Sequence, residues 1–525
     1  MKTIPLWSVT CGLCVSVGAF GQDTAVKKSP NVLLIISDDQ GFCELGSYAD
    51  FADPNTMGAK EIEKWRRITK ITDHKAPVKV CMEAAAKCMP TIDGLAKQGL
   101  RFTDFHAAPT CGPSRAALMS ARYPQSFGAY TNDEFEGPGN IGVPVGVDLP
   151  VKLFQSAGYM TGLSGKWHLG KKPGQLPHER GFDYFFGFDR AHVEKYGSKR
   201  LLKNGKPVPA EGWLADQITD EAIEFLGMSG KQKKPFFLYV AYNEPHGPMP
   251  DPPKKYMDAI NSGCKNVDGY YGMIYGMDHG IGRILKKIKA MGELDNTIIL
   301  YGSDNGQARG PYVRPFGMRK GRFFGVPVPG NGPLQGCKWT PWEGAVRVPF
   351  IAKMPGGVRG STDTLVSMLD VMPTLLDAAG IRIPETMELH GRSFLPVLKG
   401  KALKEKSLFW ASDSQHPFID KYGPRSKALS AKYARRPKHP VRSGNFPPAW
   451  YVRTEKWKLM GWDDEAPVLF NMEKDIGETT DLAKKHPETV DHLKKQFAEW
   501  IAQQQPPARF PKEQFEKLKA VGKER

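Results

Sequence analysis

The segment Asn31-Val-Leu-Leu-Ile-Ile36, which runs into Ser37-Asp38-Asp39, decides the fold of this 525-residue chain. A continuous apolar run of this length is typical of a strand buried on both faces of a parallel sheet. Similar runs recur at residues 159–163, 235–241 and 297–301. The chain is too long for one small core, so we expect one large α/β domain with a smaller companion.

Oxygen-bearing side chains follow two of these runs. Asp38 and Asp39 follow the first run, and Asp304 and Asn305 follow residues 297–301. Open α/β sheets place ligands at the carboxyl ends of their strands, so these side chains could form one cage. Three carboxylates and a carboxamide suit Ca²⁺ or Mg²⁺ rather than zinc or copper. For an isolated pair of aspartates, a helix cap or a polar turn is the simpler interpretation.

A cysteine begins a predicted helix in the stretch Pro109-Thr-Cys111-Gly-Pro113-Ser-Arg115. Pro113 suits the first turn, and good helix formers follow it. The free amide groups at a helix N-terminus favour an anion, either a thiolate or an oxyanion made from Cys111. A buried, inert thiol is the alternative for a lone cysteine.

Basic side chains follow the other runs. Lys166 and His168 come after residues 159–163 at alternate positions, so they can point to one side. His246 follows residues 235–241, and Lys338 lies in the loop Gly336-Cys-Lys338. A lone lysine or histidine is more often structural or solvated.

Taken together, these motifs resemble the type I, formylglycine-dependent sulfatases of the alkaline phosphatase superfamily. Cys111-Gly-Pro-Ser-Arg115 is similar to the family signature C-x-P-S-R. Five further motifs occur in the family order, S-D-D, G-K-W-H-L-G, P-H-G-P, S-D-N-G and G-x-K, and the resemblance spans residues 31–482. It implies an α/β fold in which helices sandwich a large, mixed, mostly parallel sheet. Strand-like pieces at residues 407–411, 449–453, 457–462 and 468–471, and a helical stretch at 487–504, predict a small C-terminal antiparallel sheet with one helix.

The resemblance implies that Cys111 is the modified residue. A formylglycine-generating enzyme would oxidise it, and the hydrated aldehyde would attack sulfur. The implied ion is Ca²⁺, with Mg²⁺ second, and its ligands would be Asp38, Asp39, Asp304, Asn305 and residue 111.

Roles for the basic residues follow from the same resemblance. Lys166 and Lys338 would bind and neutralise the sulfate oxygens. His246 would contact the scissile ester oxygen and protonate it. His168 would remove the proton of the second hydroxyl to expel sulfate, and Arg115 would steady the nucleophile and the ion.

One position departs from the extended family signature. Ala121 stands where that signature has glycine, before Arg122. This difference could weaken recognition by the modifying enzyme.

The N-terminus predicts export. Residues 1–21 contain one lysine, an apolar stretch from residue 4 to 20 and the cleavage site Ala19-Phe20-Gly21, as in a secretory signal peptide. A transmembrane anchor is the alternative, but Pro5 and Ser8 interrupt a stretch that is short for a bilayer. We therefore predict a signal peptide at 1–21, a sulfatase catalytic domain at 22–384 and a C-terminal subdomain at 385–525. The mature protein should be periplasmic or secreted, without stable membrane insertion, and Cys81 and Cys88 could form a local disulfide.

The formal net charge of +17 favours a polyanionic partner. The candidates are nucleic acid, an anionic membrane and a sulfated polysaccharide, and export and the absence of a nucleic-acid motif make nucleic acid the least favoured of the three. The resemblance to sulfatases implies a sulfated carbohydrate as the substrate, and we expect no nucleic-acid partner. The Arg-rich, Gly- and Pro-rich residues 307–333 are a candidate substrate wall. Residues 421–442, crowded with basic side chains, are either a solvated loop or a polyanion-binding edge.

Three functions remain open from the sequence. The first is a sulfatase that acts on a sulfated carbohydrate, and the second is a phosphoester or phosphonate-ester hydrolase on the same scaffold. The third is a protein that binds anionic glycans and whose Cys111 is never converted.

Overall fold

The computed structural model describes residues 28–52, 78–136, 140–308, 330–413, 448–462, 466–508 and 512–522. The predicted signal peptide, most of the predicted substrate wall and the basic residues 421–442 lie outside these ranges. Within the described part of the chain, no helix combines the length and the apolar character needed to cross a bilayer.

Sixteen strands are described. They are β1 (Asn31–Asp38), β2 (Leu100–Phe102), β3 (Phe105–His106), β4 (Met160–Lys166), β5 (Tyr184–Phe188), β6 (Leu201–Lys203), β7 (Lys206–Val208), β8 (Phe236–Pro245), β9 (Thr297–Ser303), β10 (Phe350–Lys353), β11 (Gly360–Thr362), β12 (Val366–Ser367), β13 (Leu408–Asp413), β14 (Pro448–Arg453), β15 (Trp457–Trp462) and β16 (Val468–Asn471).

Thirteen α-helices are described. They are α1 (Val78–Lys87), α2 (Pro90–Gln98), α3 (Cys111–Ser120), α4 (Asp133–Glu136), α5 (Val151–Ser156), α6 (Leu214–Gln232), α7 (Lys254–Ile260), α8 (Lys265–Ala290), α9 (Glu343–Val346), α10 (Val371–Ala379), α11 (Leu395–Leu398), α12 (Pro487–Ile501) and α13 (Lys512–Ala520).

The main sheet has ten strands in the order β11-β2-β10-β9-β1-β8-β4-β5-β6-β7. Its centre is parallel, because β1 pairs in parallel with β8 and β9, and β4 pairs in parallel with β5 and β8. β10 runs antiparallel between β9 and β2. The sheet is therefore mixed and mostly parallel, as predicted.

Helices cover both faces of this sheet. Leu33 and Ile35 of β1 pack in the cluster that contains residues of α6 and α8. Leu34 and Ile36 point to the opposite face and pack with residues of α3 and α10. Each such side chain, fully buried, contributes about 1.5–3 kcal/mol. Burial on both faces explains why β1 is apolar without alternation.

A second sheet lies near the C-terminus. Strands β13 to β16 form an antiparallel meander, and α12 packs on it, with the Trp450 and Phe497 rings stacked at 4.6 Å. β3 and β12 pair in parallel as a separate two-stranded sheet. The large mixed sheet between helices and the small C-terminal antiparallel sheet confirm the predicted fold class. The domain boundary predicted at residues 384 and 385 stays a prediction.

Between β2 and β3, the Thr103 carbonyl accepts from Arg347 and the Asp104 carboxylate accepts from Arg453. Cys81 and Cys88 do not form the disulfide considered from the sequence. The buried Cys88 Sγ lies 3.2 Å from the Ala85 carbonyl oxygen and 3.4 Å from that of Glu44, either of which can accept its one S–H.

Candidate active site

The carboxyl ends of the central strands meet at one edge of the main sheet. Asp38 is the last residue of β1, and Asp304 directly follows β9. Because Ser37 pairs with Ser303, the two carboxylates leave adjacent strands at the same level. Lys166 ends β4 at this edge, and Asp38, Asp304 and Lys166 are all fully buried.

Cys111 lies at the first position of α3, as predicted. Its Sγ is 3.5 Å from Asp38 Oδ1 and 3.9 Å from Asp39 Oδ1. Lys338 Nζ is 2.8 Å from the same sulfur. The helix start therefore brings residue 111 onto the acidic strand ends.

Three buried cations neutralise the three carboxylates. Lys166 Nζ lies 2.8 Å from Asp38 Oδ2, and Lys338 Nζ lies 2.5 Å from Asp39 Oδ1. The Arg115 guanidinium contacts Asp304 Oδ2 at 2.9 and 2.8 Å through Nε and Nη2. Unpaired, these charges would be too costly to bury.

Two histidines border the carboxylates. His246 Nε2 is 3.6 Å from Asp39 Oδ2, and His246 Nδ1 lies 2.6 Å from the Gly247 carbonyl oxygen. The carbonyl can only accept, so it holds the proton on Nδ1 and leaves Nε2 to face the site. His168 is fully buried, with a left-handed backbone at φ 57°, and its ring lies 6.2 Å from that of Phe135.

The three carboxyl groups differ in acidity. Burial opposes the ionisation of Asp38, but Lys166 and its other cationic neighbours hold its pKa well below the ordinary value. Burial opposes the ionisation of Asp39 as well, but Lys338, His246 and Lys166 together lower its pKa. Burial and the nearby Asp38 raise the pKa of Asp304 to about 6. The charge of Asp304 is therefore compensated less well than the charges of Asp38 and Asp39, and a bound cation would favour its ionised form.

Burial also shifts the pKa values of the Cys111 thiol and of the two imidazoles. It raises the pKa of the Cys111 thiol, although Lys166 and Lys338 oppose it. Burial therefore opposes the thiolate form that a helix N-terminus favours. Burial lowers the pKa of His168 well below the ordinary value and that of His246 to about 3, so both rings are neutral at pH 7.

The donor set fits a hard divalent ion. Asp38, Asp39, Cys111 and His246 each offer an atom within 4.8 Å of the others. Asn305 Oδ1 is buried and accepts no hydrogen bond in the described structure, while its Nδ2 donates to Asp39 Oδ1 at 2.7 Å. Carboxylate oxygens with one free amide oxygen suit Ca²⁺ or Mg²⁺.

A second group of possible ligands lies behind the site. Asp104, His106 and Glu343 are close enough to bind a metal, but Arg453 Nη2 already lies 2.7 Å from Asp104 Oδ2 and Lys458 Nζ lies 2.8 Å from Glu343 Oε1. Glu343 Oε2 also lies 3.7 Å from Arg347 Nη1. This group is therefore a charge-balanced ion network that supports the Lys338 loop.

The sequence matches the family profile described as Sulfatase over residues 30–381, which is more than half of the chain. The chain belongs to the sulfatase family. A second profile, described as N-sulphoglucosamine sulphohydrolase, C-terminal, matches residues 338–429 of this sulfatase. As a family member, the protein is a sulfuric ester hydrolase, which confirms the expected class of enzyme.

Known proteins extend this similarity over most of the sulfatase. It is 33% identical to the uncharacterized sulfatase YdeN of Escherichia coli K12 over 94% of this chain and 90% of the relative. It is 28% identical to human N-acetylgalactosamine-6-sulfatase over 73% and 68% of the two chains. A crystal structure of Ps i-CgsB in complex with k-i-k-neocarrahexaose superposes with a TM-score of 0.71 and 27% identity, covering 92% of this chain and 95% of that one.

All ten residues singled out from the sequence of this sulfatase lie in or directly against this one site. The sequence analysis did not identify two further residues, Tyr239 and His192, that contact side chains of the site. Tyr239 from the middle of β8 holds Arg115 Nη1 at 3.2 Å, and His192 stacks on His246 with ring centroids 5.4 Å apart. Neither residue stands in a motif, so no sequence signal marked them.

Proposed function

We propose that this sulfatase removes sulfate from a sulfated oligosaccharide or polysaccharide, using a formylglycine made from Cys111 and a bound Ca²⁺. One observation carries the proposal: Cys111 Sγ lies 3.5 Å from Asp38, 3.9 Å from Asp39 and 2.8 Å from Lys338 Nζ in a buried site. Two carboxylates that could bind a cation and one ammonium group that could bind an anion thus surround a single side chain, Cys111, that can be modified.

The ion would be held by Asp38, Asp39, Asp304, Asn305 and residue 111. Once bound, Ca²⁺ would supply positive charge that polarises the attacking hydroxyl and the sulfate. Mg²⁺ usually keeps several waters and uses one or two carboxylates, so a cage of four oxygen-bearing side chains favours Ca²⁺.

The raised pKa of Cys111 supports the need for its conversion, because a neutral thiol is a weak nucleophile. A hydrated formylglycine would supply two hydroxyls on one carbon, one to attack sulfur and one whose deprotonation releases sulfate. Arg115 lies one turn along α3 and is held by Asp304 and Tyr239. By fixing Arg115, these contacts would also fix the first turn of α3 and keep residue 111 next to the carboxylates at the strand ends.

Lys166 and Lys338 would bind the sulfate oxygens. Both ammonium groups are buried, Lys166 against Asp38 and Lys338 between Asp39 and the side chain of residue 111. Preorganised cations in a dry site stabilise charge that spreads over sulfate in the transition state, and each such donor is typically worth about 10²–10³ in rate.

His246 would deliver the proton to the departing alcohol from Nε2, because the Gly247 carbonyl holds the Nδ1 proton. In the site without substrate its pKa is about 3, so the negative charge of bound sulfate has to favour its protonated form. His168, neutral at pH 7 because burial lowers its pKa, is suited to act as the base that takes a proton.

Separate observations support the proposed substrate class and the proposed export. The net charge of +17 favours a polyanion, and the similar proteins include an N-acetylgalactosamine-6-sulfatase and a structure with a bound neocarrahexaose. The apolar stretch from residue 4 to 20 supports export to the periplasm or the medium. Maturation would require a formylglycine-generating enzyme as a partner.

The test uses protein expressed with a formylglycine-generating enzyme, with conversion at residue 111 measured by mass spectrometry. A panel of sulfated saccharides is assayed for sulfate release, beside an aryl sulfate and the matching aryl phosphate. We expect release from at least one saccharide, preference for aryl sulfate over phosphate, and loss of activity in Cys111→Ala. Converted, Ca²⁺-loaded protein that releases no sulfate would refute the proposal.

Metal binding is measured separately by elemental analysis. Asp304→Asn should lower the calcium content, whereas Asp220→Asn, in an exposed pair with Arg283, should not. Equal calcium content in both variants would contradict the proposed ligand set.

A further inference from the structure

A histidine outside every motif lies at the rim of the site. His192 is exposed, yet its ring stacks on His246 at a centroid distance of 5.4 Å and an interplanar angle of 22°. His246 itself is only 17% exposed at its side chain. One face of His192 is therefore covered by the proposed acid, and the remainder faces solvent at the entrance.

The segment that carries His192 is firmly anchored. From residue 191 to 196 the side chains alternate between buried and exposed, so Val193 and Lys195 point inward while His192 points to the rim. Lys195 is fully buried, donates from Nζ to the Asn243 carbonyl and lies 3.5 Å from Glu244 Oε1. Its backbone carbonyl also accepts from Leu214 N at 2.9 Å.

This anchor has a geometric consequence. Asn243 and Glu244 belong to the end of β8, which leads directly to His246. Lys195 thus ties the rim segment to the same strand end that positions the acid. The two imidazoles are held together by the fold, and a stacked ring pair adds about 0.5–1.5 kcal/mol.

We infer that His192 binds a hydroxyl of the sugar that carries the scissile sulfate and so favours carbohydrate esters over simple aryl esters. The inference rests on the proposed function, in which His246 faces the ester oxygen. His192 stacks on His246 from the solvent side, so it then faces the carbon skeleton of the leaving alcohol. A simple aryl sulfate offers no hydroxyl there.

The chemistry of the ring fits this role. Partial burial of the ring and the nearby Lys166 lower the pKa of His192, so the ring is neutral at pH 7 and presents one N–H donor and one lone pair. A hydroxyl can pair with either atom. One such hydrogen bond contributes about 0.5–1.5 kcal/mol, which corresponds to roughly 2- to 13-fold in kcat/KM.

The experiment compares His192→Ala, His192→Gln and the control His178→Ala in converted, Ca²⁺-loaded enzyme. His178 is also exposed but lies before β5, at the opposite edge of the sheet. Substrates are p-nitrophenyl sulfate and the sulfated saccharide that the unmutated enzyme cleaves fastest. Affinity for that saccharide is measured by calorimetry in the inactive Cys111→Ala background.

For His192→Ala we expect a 2- to 13-fold loss of kcat/KM and a matching rise of Kd for the saccharide, with less than about a twofold change on p-nitrophenyl sulfate. His192→Gln should recover part of the loss, and His178→Ala should change neither substrate. Equal losses on both substrates, or no loss on the saccharide, would overturn the inference. If the unmutated enzyme cleaves neither substrate, the proposed function itself has failed.

Discussion

Replacing Arg453 by glutamine tests how strongly the ion network behind the active site stabilises the enzyme. Arg453 ends β14, and its Nη2 lies 2.7 Å from Asp104 Oδ2. The arginine side chain is 1% exposed and the aspartate side chain 6%. Asp104 precedes the Cys111 loop, so this pair joins the C-terminal sheet to the catalytic edge.

The expected cost follows from this geometry. At an effective dielectric constant of about 20, two unit charges 2.7 Å apart attract each other by roughly 6 kcal/mol. Desolvation of both groups offsets much of this, and removal of one partner from a buried pair typically costs about 3–5 kcal/mol. Arg347 Nη1 remains 3.6 Å from Asp104, so we expect Arg453→Gln to lower the free energy of unfolding by about 3 kcal/mol.

The effect should depend on pH. Burial raises the pKa of Asp104, but Arg453 and Arg347 together hold it well below the ordinary value of 3.8. A depressed pKa stabilises the folded state above 3.8, and this contribution is lost as the pH falls below that value. Without Arg453 the depression is smaller, so the cost of the variant should shrink by on the order of 1 kcal/mol from about pH 5 to about pH 3.

Urea unfolding followed by tryptophan fluorescence at about pH 7, 5 and 3 measures the difference. Arg283→Gln is the matched control, because Arg283 pairs with Asp220 at the surface and both side chains are more than a third exposed. Its cost should stay below about 1 kcal/mol at neutral pH. Equal costs for the two variants, or a cost of Arg453→Gln that grows in acid, would refute the reasoning.

Two further predictions concern catalysis and maturation. His246→Ala should lower kcat/KM by about 10²–10⁴ on alkyl sulfates and much less on activated aryl sulfates, whose alcohols leave without a proton; equal losses would argue against the acid role. Ala121→Gly should raise the fraction of Cys111 converted in cells, as measured by mass spectrometry, if the difference from the family signature limits conversion. Stability should change little, because relief of the left-handed backbone at φ 54° is offset by the loss of a buried methyl group worth about 0.8 kcal/mol. Unchanged conversion would show that alanine is tolerated.

The position of Ala121 shows how a local motif and the tertiary structure combine. The sequence marks it only as a departure from a signature. In the structure it ends α3 in the left-handed region, and its carbonyl accepts from His390 and Gly391. A glycine would adopt this backbone without a steric penalty.

Local patterns in the sequence predicted the central strands β1, β4, β8 and β9 and the carboxylates that follow β1 and β9, whereas the family resemblance supplied the roles of the basic site residues. The apolar run at residues 32–36 predicts a strand buried on both faces, and Asp38 and Asp304 follow such runs. Parallel strands present their carboxyl ends at one edge, so motifs far apart in the chain could be assigned to one place. The disulfide that the sequence left possible for Cys81 and Cys88 is not formed, and their spacing alone could not decide this, because it does not specify which groups a thiol contacts.

Contacts between distant segments were decided only by the tertiary structure. The pairing of Ser37 with Ser303 sets Asp38 and Asp304 level, and burial among these neighbours raises the pKa of Cys111 and Asp304. His192 meets His246 because a buried lysine ties two segments together. The physical reason is that acidity and ring contacts depend on dehydration and on charges a few ångströms away, which the order of residues along the chain does not specify.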